Sequence, residues 1–207
     1  MTRSIFVLAV LALVPITAEA GSPPAASPED VAPSWYKAGT VLTWGVDAMG
    51  RQYDFVVTVK KLGPEIEFDW RMTEPANKEG SVKMTEAALR DADRQHNMFS
   101  GGPLTLEDKT TVWVSQAVLK QYRVKMIDHR IDTGSGYQIF LPEDEAIVPY
   151  KVLVDGVEQE YKVLHLKADC SGGDDEHLWI LDNLAAPVIF KMDLGWTIWL
   201  KEIRSAK

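Results

Sequence analysis

The residues with chemistry to offer are few, and most fall in one stretch. Asp169 to His177 reads DCSGGDDEH and gathers Asp169, Cys170, Asp174, Asp175, Glu176 and His177. Oxygen, sulfur and imidazole donors at that density are what cation sites are made from: oxygens for calcium, or Cys170 with His177 for zinc. Neither pattern is complete. An EF-hand loop needs alternating oxygen ligands, a central glycine and a terminal glutamate, and zinc needs more cysteine or histidine. Asp174, Asp175 and His177 are therefore weak candidates for metal ligands, and a solvated acidic loop explains the same composition. Cys170 is the chain's one cysteine. As a nucleophile it would need a base within reach and a lowered pKa. His165 and His177 lie close in sequence, and on a hairpin with arms 161–168 and 177–182 they would approach each other across the pair. A buried, inert thiol is the alternative.

Outside that stretch the catalytic vocabulary is thin. His96 and His129 carry no motif around them. Glu143, Asp144 and Glu145 offer paired carboxylates of the kind a glycosidase uses, but all three sit on one segment that reads as an acidic loop. There is no G-x-S-x-G elbow, no H-E-x-x-H and no P-loop. The chain thus reads as a binding protein rather than an enzyme, and no cofactor is implied. A hydrolase using Cys170 or the acidic loop is kept as an alternative.

The seven tryptophans say more. Core packing accounts for most of them. Trp196 and Trp199, three apart on one expected strand, point to opposite faces by the period of two. One packs on the core; the other sits under a covering segment or lines a groove. An apolar groove on a curved sheet suits an acyl chain or a hydrophobic peptide. The residues expected to line it are Trp44, Trp70, Met98, Phe99 and Trp196.

The elements that must position these residues are mostly strands. Thr40 to Val46, Gln52 to Lys60 and Ile66 to Met72 read as strands between turn signals, the third with clean apolar–polar alternation, and Ser81 to Met84 adds a short fourth strand. Thr85 can cap a helix over 86–96, and Ser115 a second over 116–121. Residues 85–121 together read as a helical insertion, either a cap on the core or a lid. The sheet pattern resumes over 122–131 and 137–141. Asp155-Gly156 is the strongest hairpin signal, joining 147–154 to 157–168. The chain ends in HLWILDNLAAPVIFKMDLGWTIWLKEI, three apolar runs joined by connectors too short for anything but an antiparallel meander. The expectation is a mainly β domain over 35–207: one curved antiparallel sheet of about ten strands, half-barrel or barrel, with its helical insertion at 85–121.

Residues 1–20 read as a signal peptide, with basic Arg3, an apolar run from Ile5 to Ile16 and Ala18-Glu19-Ala20 as cleavage site. That run is too short to span a bilayer, so no membrane-spanning segment is expected. Residues 21–34 are Pro/Ala/Ser-rich and read as a flexible leader. The expected location is periplasmic or secreted. A single cysteine excludes an internal disulfide, so packing must hold the fold. The net charge of −8, without a basic patch, argues against nucleic acid.

The A-E-A site, the strand succession from Thr40, the insertion at 85–121 and the LWILDN…PVIFKM…WTIWLKEI ending together resemble exported β-sheet proteins of the lipoprotein-carrier type, and uncharacterised Gram-negative periplasmic families with a related sheet. The resemblance is one of layout and assigns no residue a role. It implies a curved half-barrel, plugged by helices, that holds an apolar ligand such as a lipid or acyl chain. A cell-envelope module that docks a protein through a sheet edge or the insertion is the other expectation.

Overall fold

A computed structural model describes residues 30–124, 130–134, 136–169 and 174–207. The expected signal peptide, most of the leader, Cys170 and His129 lie outside the described residues.

The first half of the domain is a meander. β1 (Val41–Ala48), β2 (Arg51–Lys61), β3 (Ile66–Met72) and β4 (Glu79–Met84) pair antiparallel in chain order. β3 buries alternate residues: Ile66, Phe68 and Trp70 point inward while Asp69 and Arg71 are exposed, whereas β1 is buried on both faces from Leu42 to Val46. The β1–β2 turn is only Met49 and Gly50, both at positive φ (54° and 72°), which matches the twist of the strands they join.

The segment after β4 is only partly helical. α1 (Glu86–Asp91) starts at Thr85, whose hydroxyl accepts the Ala88 N–H, but it stops well short of His96. β5 (Gly102–Leu106), inside the segment expected to be a helical insertion, is a strand that pairs parallel with β4 at the sheet edge. α2 (Gln116–Arg123) begins at Ser115, whose hydroxyl accepts the Val118 N–H. It runs past Gln121, so Tyr122 is helical and not the start of a strand, and Tyr122 is buried with its hydroxyl donating to the Phe140 carbonyl. Between β5 and α2 the chain crosses the inner face of the sheet as a strap. The Val114 N–H donates to the Pro187 carbonyl and the Ile189 N–H to the Val112 carbonyl, while the Trp113 ring stacks on Phe68 at 5.5 Å. Val112, Trp113 and Val114 are all buried. The strap is part of the core, not a removable cover.

The second half closes on itself. β6 (Arg130–Asp132) and β7 (Tyr137–Ile139) form a small separate pair. β8 (Leu141–Val154) and β9 (Val157–Ala168) make the long hairpin about Asp155-Gly156, whose φ values of 51° and 81° are those a two-residue turn requires. β10 (Glu176–Leu181), β11 (Ile189–Asp193) and β12 (Thr197–Arg204) are the closing meander. β12 pairs antiparallel with β1 along one edge. Along its other edge it meets β11 at its start and β8, in parallel, at Glu202 and Ile203. Strands β8 to β12 are thereby linked in a closed ring, and β1 to β5 continue from β12 as an open flank. The ten-stranded sheet is mainly antiparallel but not wholly so, because β4–β5 and β12–β8 run parallel.

One expected loop is instead an irregularity within a strand. Pro142 faces Leu166 and Ile147 faces Leu164, so β8 advances five residues while β9 advances two. The surplus, Glu143 to Ala146, bulges out of the ladder. Near the amino end, Asp30 to Ser34 already lie against the domain. Arg123 at the end of α2 meets Asp30 and Asp182, each at 2.7 Å, and Asn183 donates to the Val31 carbonyl.

Candidate functional site

Two of the five residues expected to line a groove are core. Trp44 has no exposed surface, and its indole N–H donates to the Ile189 carbonyl at 3.0 Å. Trp70 is also buried, with its ring 5.9 Å from Phe55. The inner face of the sheet is filled at this point: Phe99, from the loop before β5, lies 4.8 Å from Phe55 and 4.9 Å from Trp70. The space left beside Phe55 and Phe99 is only about 40 Å³, too small for an acyl chain.

The opening lies instead at one end of the sheet. Three turns and one loop meet there around a cleft of about 970 Å³. The β1–β2 turn contributes Met49, and Tyr53 of β2 forms the adjoining wall. Met72, Pro75 and Ala76 come from the end of β3 and the turn after it, Met98 and Phe99 from the loop before β5, and Trp196 from the β11–β12 turn. Met98, Phe99 and Trp196 thus line one cleft, without Trp44 and Trp70.

The walls are apolar, and two of their side chains are exposed to a degree rare for their type. Met49 is 100% exposed and Met98 is 83% exposed. Methionine is flexible and polarizable, so it covers irregular apolar ligands well. Arg51 and Lys78 also line the cleft and are exposed. Neither forms an ion pair with a described carboxylate, so two cations are available at an otherwise greasy opening. Met49, Tyr53, Met72, Arg51 and Lys78 were missed at the level of sequence. Met49 carried a signal: a large apolar residue at the tip of a two-residue turn, at positive φ, has no local structural reason to be there.

Trp199 does not sit under the strap or in the cleft. It lies on the outer face over Gly45, its partner across β1 and β12. A Cβ at Gly45 would fall 2.5 Å from Trp199 Cζ2, so only glycine lets the indole lie flat there.

The other expected chemistry lies on the outer face of β9 and β10. Asp174 is exposed, and Asp175 is 2.7 Å from Lys167, so Asp175 serves an ion pair. His177 and His165 do meet: Nδ1 of His177 lies 3.0 Å from Nε2 of His165. They are diagonal neighbours, since His165 pairs with Trp179 and His177 with Lys167. Trp179 stacks on His165 at 4.3 Å and 10°, and Lys191 Nζ sits 4.4 Å from the centre of the Trp179 ring. The His165 pKa is lowered, first by burial and then by the neighbouring His177. Glu143, thrown out by the β8 bulge opposite His165, completes a group whose three ligand atoms lie within 4.8 Å of one another. The sequence offered Glu143 as an acidic-loop carboxylate and not as a partner of the histidines, because nothing local reveals that its strand bulges beside His165.

His96 is half-buried and stands edge-on to Phe99 at 5.5 Å. Its Nε2 is buried without a hydrogen-bond partner. Its pKa is lowered, mainly by burial; a backbone hydrogen bond with Met98 opposes the shift and the charge of Lys109 adds to it. No family model, no curated protein and no solved structure matches the chain.

Proposed function

We propose that this is an exported, non-enzymatic binding protein of the cell envelope that holds an apolar acyl ligand in the cleft at the end of its sheet. The observation that carries the reading is the convergence of Met49, Met98, Phe99 and Trp196 on one open apolar cleft, above an interior already filled by Phe55, Trp70 and the strap. A volume of about 970 Å³ lies at the upper end of what small-molecule sites occupy. Arg51 and Lys78 at the same opening suit an anionic head group, such as a carboxylate or phosphate, with the chain running over the methionines. Export rests on the basic start, apolar run and A-E-A site of residues 1–20. Membership of the lipoprotein-carrier type of sheet protein is part of the same proposal and rests on layout.

The test is titration of the delipidated protein with a naturally fluorescent fatty acid, followed by displacement with an unlabelled one. The expected result is saturable binding, weakened roughly tenfold or more by Met98→Glu, because a charge is then desolvated against the chain. Met98 is exposed, so this variant should melt at the temperature of the parent. Absence of saturable binding, or equal binding by Met98→Glu, overturns the reading.

A further inference from the structure

We propose that Glu143, His165 and His177 form a binding site for a divalent first-row transition ion, zinc above all, on the outer face of the sheet. This site is separate from the apolar cleft and does not depend on it.

The donor set is two imidazoles and a carboxylate, which matches zinc, nickel, cobalt and copper and is wrong for calcium or magnesium. The geometry is near that of a loaded site. Two cis ligands about 2.1 Å from an ion stand about 3.0 to 3.4 Å apart, depending on whether the angle is nearer octahedral or tetrahedral. His165 Nε2 and His177 Nδ1 are 3.0 Å apart. Three donors on a tetrahedral zinc lie about 3.4 Å from each other, so the 4.8 Å limit of this group closes with a carboxylate shift of at most about 1.4 Å. Each atom is delivered by a different strand, and the fold sets all three. Register places the histidines diagonally across β9 and β10, and the β8 bulge carries Glu143 out beside His165. Stacking on Trp179 fixes the His165 ring plane before any ion arrives.

The same contacts without an ion do not account for the arrangement as well. The bond between the imidazoles uses one nitrogen of each ring and does not by itself explain why Glu143 is carried beside them. Glu143 pairs with no lysine or arginine among the described residues. The nearby cations are engaged elsewhere: Lys167 with Asp169 and Asp175, and Lys191 over Trp179 and 3.8 Å from Asp193. Glu143 also forms part of the wall of an open groove of about 760 Å³, with Tyr137, Gln138 and Asp144, so an ion held by three protein atoms would keep a coordination position facing water.

The experiment is calorimetric titration of the purified, chelator-treated protein with zinc chloride alone, with cupric ion as a second probe read by fluorescence. One zinc per chain is expected. His165→Ala and His177→Ala should each weaken it by at least about 100-fold, and Glu143→Gln by about tenfold. Cupric ion should quench the emission of Trp179, so the quench should shrink in Trp179→Phe. Glu143→Gln sits in a bulge and removes no ion pair, so it should fold even if a histidine variant does not. No binding of zinc by the parent protein overturns the proposal. So does unchanged affinity in Glu143→Gln together with either folded histidine variant.

Discussion

At the scale of single residues, the sharpest constraint is the contact between Gly45 and Trp199. A methyl group at position 45 would stand 2.5 Å from the indole, so the ring must shift off its place over the strand. Gly45→Ala should therefore cost about 1–3 kcal/mol in urea denaturation. The same substitution in a Trp199→Leu background should cost clearly less, because the clash is gone. Equal costs in both backgrounds would show that the contact is not the cause. His96 gives a pH prediction. Its native pKa is lowered, chiefly by burial, so between that value and the ordinary histidine value of about 6.5 the unfolded chain binds the proton better. Its contribution is fully present above about pH 6.5 and is lost as the pH falls through the native pKa. The melting temperature should thus fall on acidification below about pH 6.5, and His96→Gln should make that fall shallower. An unchanged slope in the variant would remove His96 from the account. The acidified form matters to the cleft as well, because His96 stands edge-on to Phe99.

At the scale of elements, the strap and the helix after it do what the helical insertion was expected to do, by different means. Trp113 has no exposed surface, stacks on Phe68 and donates its indole N–H to the Tyr36 hydroxyl at 3.0 Å. Trp113→Ala should cost about 3–5 kcal/mol, measured by chemical denaturation. A loss under about 1 kcal/mol would mean that the strap lies loosely on the sheet. Arg123 ties three pieces of chain together through Asp30, the Asp182 carboxylate and the Asp182 carbonyl. It is partly exposed, so Arg123→Ala should cost only about 1–2 kcal/mol. What was legible here follows from local chemistry. The caps at Thr85 and Ser115, the alternation in β3, the Asp155-Gly156 turn and the closing meander all announce themselves within a few residues. β5 did not, because it starts at Gly102-Pro103 and owes its strand geometry to its parallel neighbour β4. The bulge at Glu143 to Ala146 did not either: a charged run inside a strand looks like a loop until its register against β9 is known.

At the scale of the molecule, the closed ring and the open flank set a gradient of order. β1 is bonded on both sides, to β2 and β12, whereas β5 has one neighbour. Amide exchange should be slow along β1, near the rate of global unfolding, and faster in β5. Comparable protection of the two would contradict the open flank. The filled interior explains why Trp44 and Trp70 do not line the cleft. Trp44 and Trp70 serve the packing of the interior, while at one end of the sheet turns and loop leave Met49 and Met98 uncovered. Alternation along a strand distinguishes inside from outside; it does not distinguish a filled inside from an open one, since that depends on what the strap brings across.

The central claim is that an acyl ligand sits among the turns at that end and nowhere else. Amide chemical-shift mapping during titration with dodecanoate tests it most directly. Shifts are expected to be confined to the β1–β2 turn, the turn after β3, Asn97 to Ser100 and Leu194 to Trp196. Shifts spread along the inner strands, or none at saturating dodecanoate, would contradict it.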